Sequence, residues 1–234
     1  MPIFAPFLAA LGTTVTANAI AGASLLGTTI LSIAGASGRN RTIGIEISNL
    51  FEKSVELTYV GNYLDSGVEY TPPQPTIQAG RREGCGFAKT SDTACGSVGV
   101  MVYKITASSS NKEQVQECYM VMMWSVPFDY NLYDNWFAIG MKDYIAQDNI
   151  NKSLWREMYY DDETWFQRKA AKKGRPCDIT FGGIRIIATM SDVGNAVMKV
   201  EAKPTDEVMI QISQIESNKS RRTNYTHLQK NGTV

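Results

Sequence analysis

Histidine is nearly missing from this chain, charge of either sign is not in excess, and no apolar run is long. Each shortage removes a class of function. His227 is the only histidine among 234 residues and lies near the C-terminus. A Ser–His or Cys–His nucleophile pair therefore has no imidazole in the body of the chain. The cysteines, Cys85, Cys95, Cys118 and Cys177, include no C-x-x-C pair, so the common zinc spacings are absent. There is no G-x-x-x-x-G-K-[ST] loop, no G-x-G-x-x-G after a strand and no H-E-x-x-H. The acids at Asp161, Asp162 and Glu163 read as a solvated turn. Neither an enzyme, a metal site nor a cofactor is expected. Lys and Arg number 23 and Asp and Glu 23, so no field of one sign steers the chain to nucleic acid or to anionic lipid. Attraction to a membrane would need rings, apolar surface or a specific head-group site. No window reaches about 18 consecutive apolar residues, which argues against a constitutive transmembrane helix. The N-terminus lacks the positive region of a secretory signal.

What is present divides the chain. Residues 1–38 contain no charged side chain. Phe4, Leu8, Leu11 and Val15 share one helical face, and Leu26, Ile30 and Ile33 repeat the pattern, with Thr28, Thr29 and Ser32 on other faces. Gly12, Gly22, Gly27 and Gly35 each weaken a helix by about 1 kcal/mol, so helicity here depends on a packing partner. A charged residue at a bilayer centre costs about 2.5–3.5 kcal/mol on insertion scales, and this segment has none. From residue 39 the chain reads as β: residues 42–48 and 55–60 alternate, and residues 98–103 and 119–124 are apolar enough for central strands. Late strands fall at 184–189 and 196–200. Turns are signalled at 65–67, 71–75 and 79–80, with a hairpin loop over 106–117. Short strands between turn signals indicate a sandwich. One helix interrupts them at 153–160, capped by Asp148 or Asn149 and anchored by Leu154 and Met158. Residues 204–234 form a C-terminal extension, polar and disordered from 216, with sequons at Asn218, Asn224 and Asn231. Cys85 and Cys95 stand ten apart and could bridge a hairpin; free thiols are the other reading.

The run from Trp124 to Phe137 holds six aromatic residues in fourteen positions, interleaved with Asp129, Asn131, Asp134 and Asn135. It has neither the period of a strand nor that of a helix. Pro127 and the Asp and Asn residues favour a strand that ends and becomes a loop. Its rings either cluster in the core or stand exposed, as Tyr and Trp do at a membrane–water interface. Trp155, Tyr159 and Tyr160 continue the aromatic theme on the helix. With catalytic groups missing and a charge-free N-terminus, the exposed reading is favoured for the loop and the buried one for Trp124.

Ser125-Val-Pro-Phe-Asp-Tyr-Asn-x-Tyr-x-Asn-Trp136 closely resembles the signature of the actinoporins, the sea-anemone pore-forming toxins. Gly96-Ser-Val-Gly-Val100, Glu157-Met-Tyr-Tyr160, Asn62–Gly67 and Ala19–Leu25 resemble family segments in the same order, and the resemblance covers roughly residues 19–202. It implies a mainly β fold, a β-sandwich flanked by two helices, the first N-terminal and detachable. It implies a secreted soluble monomer that binds sphingomyelin-containing membranes, with or without cholesterol. The monomer then forms a homo-oligomer and inserts its N-terminal segment as a pore. The head-group pocket would comprise Ser66, Val98, Ser125, Pro127, Tyr133, Trp155, Tyr159 and Tyr160. Leu132, Trp136 and Phe137 would enter the interface. Thr14, Asn18, Ser24, Thr28 and Ser32 would face the pore.

The chain departs from the anemone toxins at Leu132 and Trp155, where they carry Trp and Tyr, and at Asp65, where they carry Arg. The uncharged residues 1–38 imply a pore of weak charge selectivity. The alternative is a non-lytic lipid- or glycan-binding module on the same sandwich.

Overall fold

A computed structural model describes residues 30–52, 55–108 and 115–206. Residues 42–48, 98–103 and 119–124 do form strands, and two six-stranded sheets pack face to face. Sheet A runs in the order β10 (Cys177–Phe181), β11 (Ile184–Met190), β12 (Asn195–Pro204), β1 (Thr42–Asn49), β5 (Arg82–Ala88), β3 (Val68–Thr71). Sheet B runs β4 (Thr76–Ile77), β2 (Val55–Ser66), β6 (Ser97–Ser108), β7 (Val115–Val126), β8 (Trp136–Lys142), β9 (Phe166–Ala170). Pairing is antiparallel except between β1 and β12. The expected central strands are β6 and β7, in the middle of sheet B.

Side chains of successive strand residues point to opposite faces, so parity decides what meets the core. From sheet B, Met101, Tyr103, Met122, Trp124, Phe137 and Ile139 face inward to meet Ile43, Ile45, Phe87, Met198 and Val200 of sheet A. Trp124 is 0% exposed and stacks on Phe87 with centroids 4.6 Å apart. Gly99 makes room for it: a Cβ there would lie 2.8 Å from the indole. The complementary residues of sheet B, Val98, Val100, Val102, Val121, Met123 and Ala138, form a second apolar layer on the outer face.

Among the described residues, each sheet carries one α-helix on its outer face. α1 (Ile30–Ala36) lies on sheet A, burying Ile30, Ile33 and Ala34, so the expected face through Ile30 and Ile33 is the packed one. It approaches the sheet closely. A Cβ on Gly44 would sit 2.9 Å from the Ile30 carbonyl oxygen and 3.2 Å from the Ala34 nitrogen. Its last carbonyls, which lack partners within the helix, accept from side chains of the sheet. Thr42 Oγ1 donates to Ala34 O at 2.6 Å, and Tyr70 Oη donates to Ile33 O at 2.5 Å. Gly38, at φ +65°, ends the helix in the left-handed region.

α2 (Lys152–Tyr160) lies on sheet B and buries Leu154, Trp155 and Met158 against the second layer. Its cap differs from the expected Asp148 or Asn149. Those residues belong to a separate 3-10 turn (Gln147–Asn149), and Asn151 Oδ1 accepts from Ser153 N at 2.8 Å and Leu154 N at 3.4 Å. An Asn at the first extended position before the helix does what the earlier polar residues cannot reach to do.

All four cysteines are free thiols. Burial pushes Cys118 and Cys177 up to about 12 and Cys85 higher still. Burial also acts on Cys95, but hydrogen bonding with Ser66, Thr93 and Thr90 overcomes it and holds this thiol below its ordinary value. Because the thiolate is the nucleophile, Cys95 should be the first, and in the native state the only, cysteine alkylated by iodoacetamide, as read by peptide mass mapping. Prior labelling of Cys118 would contradict this.

Candidate functional site

Sheet register brings part of the predicted pocket together. Ser66 pairs with Val98, Val98 with Ser125, and Ser125 with Trp136, giving one cross-strand row over β2, β6, β7 and β8. Directly opposed residues lie on one face, and here it is the outer face beneath α2. The row depends on a bulge. Leu64 pairs with Gly99 and Ser66 with Val98, so Asp65 is an extra residue that re-aims Ser66. Asp65 itself accepts from Tyr63 Oη at 3.3 Å and pairs with Lys152, the first residue of α2, at 3.6 Å. Asp65 is therefore matched by a cation from the helix.

The last turn of α2 closes the row from above. Trp155 and Tyr159 stack with centroids 5.4 Å apart, and Tyr160 stands edge-on to Tyr159 at 4.8 Å. Burial pushes the Tyr159 phenol up, while a hydrogen bond with Ser125 and the nearby Arg168 charge oppose it. Trp155 is buried, with its indole Nε1 lacking a hydrogen-bond partner among the described residues, whereas Tyr160 is exposed. Ser66 Oγ donates to Gly96 O at 3.2 Å. Pro127 is buried at the end of β7, where Gly96 passes so closely that a Cβ would lie 2.2 Å from Val126 O.

The aromatic run divides as the strands end. β7 stops at Val126 and β8 starts at Trp136, leaving a loop over 127–135. Asp129 organises it: its carboxylate accepts from Asn131 N at 2.8 Å and its carbonyl from Tyr133 N at 3.1 Å. Asn135, fully buried, staples the loop down. It accepts from Tyr130 Oη at 2.8 Å and donates to the carbonyls of Ser191 and Val193 at 3.2 and 3.1 Å. Phe128, Tyr130, Leu132 and Tyr133 are left exposed, Leu132 at 70% and Tyr133 at 58%. Val193 adds an exposed apolar side chain beside them.

Phe137 corrects the expectation. It is 1% exposed and belongs to the core, because β8 already begins at Trp136 and strand parity turns the next residue inward opposite Trp124. Trp136, on the outer face, is partly exposed. Phe137→Ala should cost about 3–5 kcal/mol of stability in urea titration, whereas Trp136→Ala should cost much less; equal costs would refute the parity assignment.

Of the predicted pore-facing residues, Ser32 lies on the exposed side of α1, and Thr14, Asn18, Ser24 and Thr28 lie outside the described residues.

Sequence reasoning missed Arg168. Its guanidinium lies over the Trp136 ring at 5.6 Å, donates to the Tyr159 carbonyl and pairs with Asp162 at 3.2 Å. It ties β9 to both the helix and the row. Arg41 does similar work for the loop, donating from Nε and Nη2 to Phe128 O at 3.0 and 2.8 Å and lying 4.6 Å from the Tyr130 ring centroid. Neither position belongs to a sequence motif that could have revealed it.

The family model described as sea anemone cytotoxic protein matches residues 14–203. The chain belongs to that family, the actinoporins. Tereporin-Ca1 of Terebra anilis is 28% identical, over 79% of this chain and 95% of that protein. DELTA-stichotoxin-Hcr4a of Radianthus crispa is 27% identical, over 77% and 94%. Bryoporin of Physcomitrium patens is 29% identical, over 73% and 88%. Among solved structures, the lipid binding protein Nakanori aligns with TM-score 0.56 at 11% identity, covering 74% of this chain and 76% of that one, a likeness of fold. At family level this actinoporin is therefore a cytolysin of the pore-forming toxin type. Among its described residues no helix is long and apolar enough to cross a membrane.

Proposed function

We propose that this actinoporin is secreted, binds sphingomyelin-containing membranes, assembles there with copies of itself and inserts its N-terminal segment to form a pore. The observation that carries the reading is the juxtaposition at one end of the sandwich. Exposed Phe128, Tyr130, Leu132 and Tyr133 stand beside a row of hydroxyls and rings roofed by Trp155, Tyr159 and Tyr160.

The chemistry suits a phosphocholine head group. Tyr faces attract a quaternary ammonium, by about 2 kcal/mol when desolvated. The Ser66, Ser125 and Tyr hydroxyls are donors for a phosphate. The exposed rings and Leu132 are placed to enter the interface, where one side is apolar and the other wet. Trp155 contributes mainly by stacking under Tyr159, since its own ring is buried.

Dye release from phosphatidylcholine vesicles with and without sphingomyelin tests the function: release is expected only with sphingomyelin. Binding without release in either lipid would instead support the non-lytic lipid- or glycan-binding module.

Tyr133→Ala and Tyr159→Ala test the pocket. Each should weaken sphingomyelin-vesicle binding roughly tenfold, the loss of one ring contact. Exposed Tyr133 should leave the melting temperature nearly unchanged. A Tyr133→Ala protein that melts far lower yet binds normally would remove this residue from the pocket.

A further inference from the structure

The balanced composition conceals a local surplus. Residues 168–175 hold five cations, Arg168, Lys169, Lys172, Lys173 and Arg175, and no acid. β9 ends opposite the start of β8, and Ala171 N donates to Asn135 O at 2.9 Å. The 3-10 turn after β9 (Ala171–Lys173) is thereby pinned against the aromatic loop. Three of the five cations are engaged: Arg168 with Asp162, Lys172 with Asp134, and Lys169 with the Pro176 carbonyl. Lys173 and Arg175 are exposed and, among the described residues, have no acidic partner.

The opposite flank of the loop is also cationic. Arg41 lies over Tyr130, and Lys89 lies 5.3 Å from the Phe128 ring centroid. The exposed rings thus sit between two groups of positive charge. The acids facing these groups include Asp129, Asp134, Asp162 and Asp192, and three of them are occupied: Asp129 accepts from Asn131, Asp134 pairs with Lys172, and Asp162 pairs with Arg168. The run 168–175 is itself free of acids, in a protein whose formal charge is zero.

We propose that Lys173, at the end of that turn, and Arg175 just beyond it form a second lipid contact that takes anionic phospholipid head groups when the aromatic loop meets a membrane. The inference rests on the membrane-binding reading above and adds a lipid class to it. An anionic surface attracts nearby Lys and Arg, and the attraction fades within a Debye length. A cation at the rim of an apolar patch is drawn to the head-group layer as the rings enter. A charge far from the patch would stay screened.

The test uses the full chain and co-sedimentation with phosphatidylcholine–sphingomyelin vesicles, with and without phosphatidylserine, at low and high salt. Phosphatidylserine should raise the apparent affinity at low salt and lose that effect at high salt. The double variant Lys173→Gln, Arg175→Gln should forfeit roughly tenfold or more of the gain. Its affinity for vesicles without phosphatidylserine, and its melting temperature, should match the parent. Indifference of the parent to phosphatidylserine, or a full gain in the double variant, would overturn the proposal. If sphingomyelin gave no binding while the salt-sensitive phosphatidylserine gain and its loss in the variant persisted, the sphingomyelin reading would fail and this one would stand.

Discussion

Removing residues 1–29 is expected to abolish dye release from sphingomyelin vesicles while leaving vesicle binding close to that of the full chain. The argument rests on a separation of parts. The hydroxyl row, the ring cluster and the aromatic loop all lie between Asp65 and Val193, whereas α1 packs on the other sheet, against β1, β5 and β12. Residues 1–29 carry no charge, and a helix of about 20 residues spans a 30 Å hydrocarbon core. The cut falls before Ile30, so α1 keeps covering Gly44, and the sandwich should stay folded. Release undiminished by the truncation would sink the assignment of the pore segment; loss of binding together with release would move the lipid contact into the N-terminus.

Trp124→Ala should cost about 3–5 kcal/mol, a large share of a typical domain stability of 5–15 kcal/mol. The ring is fully buried and stacks on Phe87, and the surrounding sheets cannot close over the void without shifting both. Its Nε1 has no hydrogen-bond partner among the described residues, so truncation strands no polar group there and the loss is one of packing. Trp124→Phe keeps a stacked ring and removes that unpartnered N–H; it should cost less than half as much. Urea titration distinguishes the two, and a cost below about 1 kcal/mol for Trp124→Ala would show that the inner face tolerates the void. At about 2–4 °C per kcal/mol for a chain of this size, the alanine variant should melt on the order of 10 °C lower.

These two expectations mark where the sequence could be read and where it could not. Continuously apolar strands, such as those around Met101 and Met122, were legible because both faces of sheet B are covered, one by sheet A and one by α2, so neither face needs polar residues. β9 and β10 were not. Phe166-Gln-Arg-Lys-Ala170 has few apolar residues, and its place at the edge of the sheet lets polar side chains occupy most of it. In the aromatic run, composition distinguishes exposed rings from buried ones poorly. The alternation of Trp136-Phe-Ala-Ile-Gly-Met141 carried the parity that buries Phe137, but the loop chemistry just before it masked the strand's start. The ring cluster shows a different limit. Ser66, Ser125 and Tyr159 meet through register, a bulge at Asp65 and the angle of α2, none of which has a local signature. Their grouping was reached by resemblance alone. The Arg168 bracket, which no motif contains, was not reached at all.

The end of α1 has a geometric consequence for the proposed mechanism. Beyond Ala36 the chain is soon held again: Arg41 is bonded to the Phe128 carbonyl, and Thr42 N donates to Gly194 O at 2.9 Å. Only Ser37 to Asn40 lie between these fixtures, with Gly38 able to leave its left-handed conformation. Fully stretched, four residues reach about 13–14 Å. A segment that swung away from sheet A would therefore remain on a short leash fastened to the aromatic loop. It would be delivered to the bilayer beside the rings that touch it, and its point of entry would be set by the length of that leash.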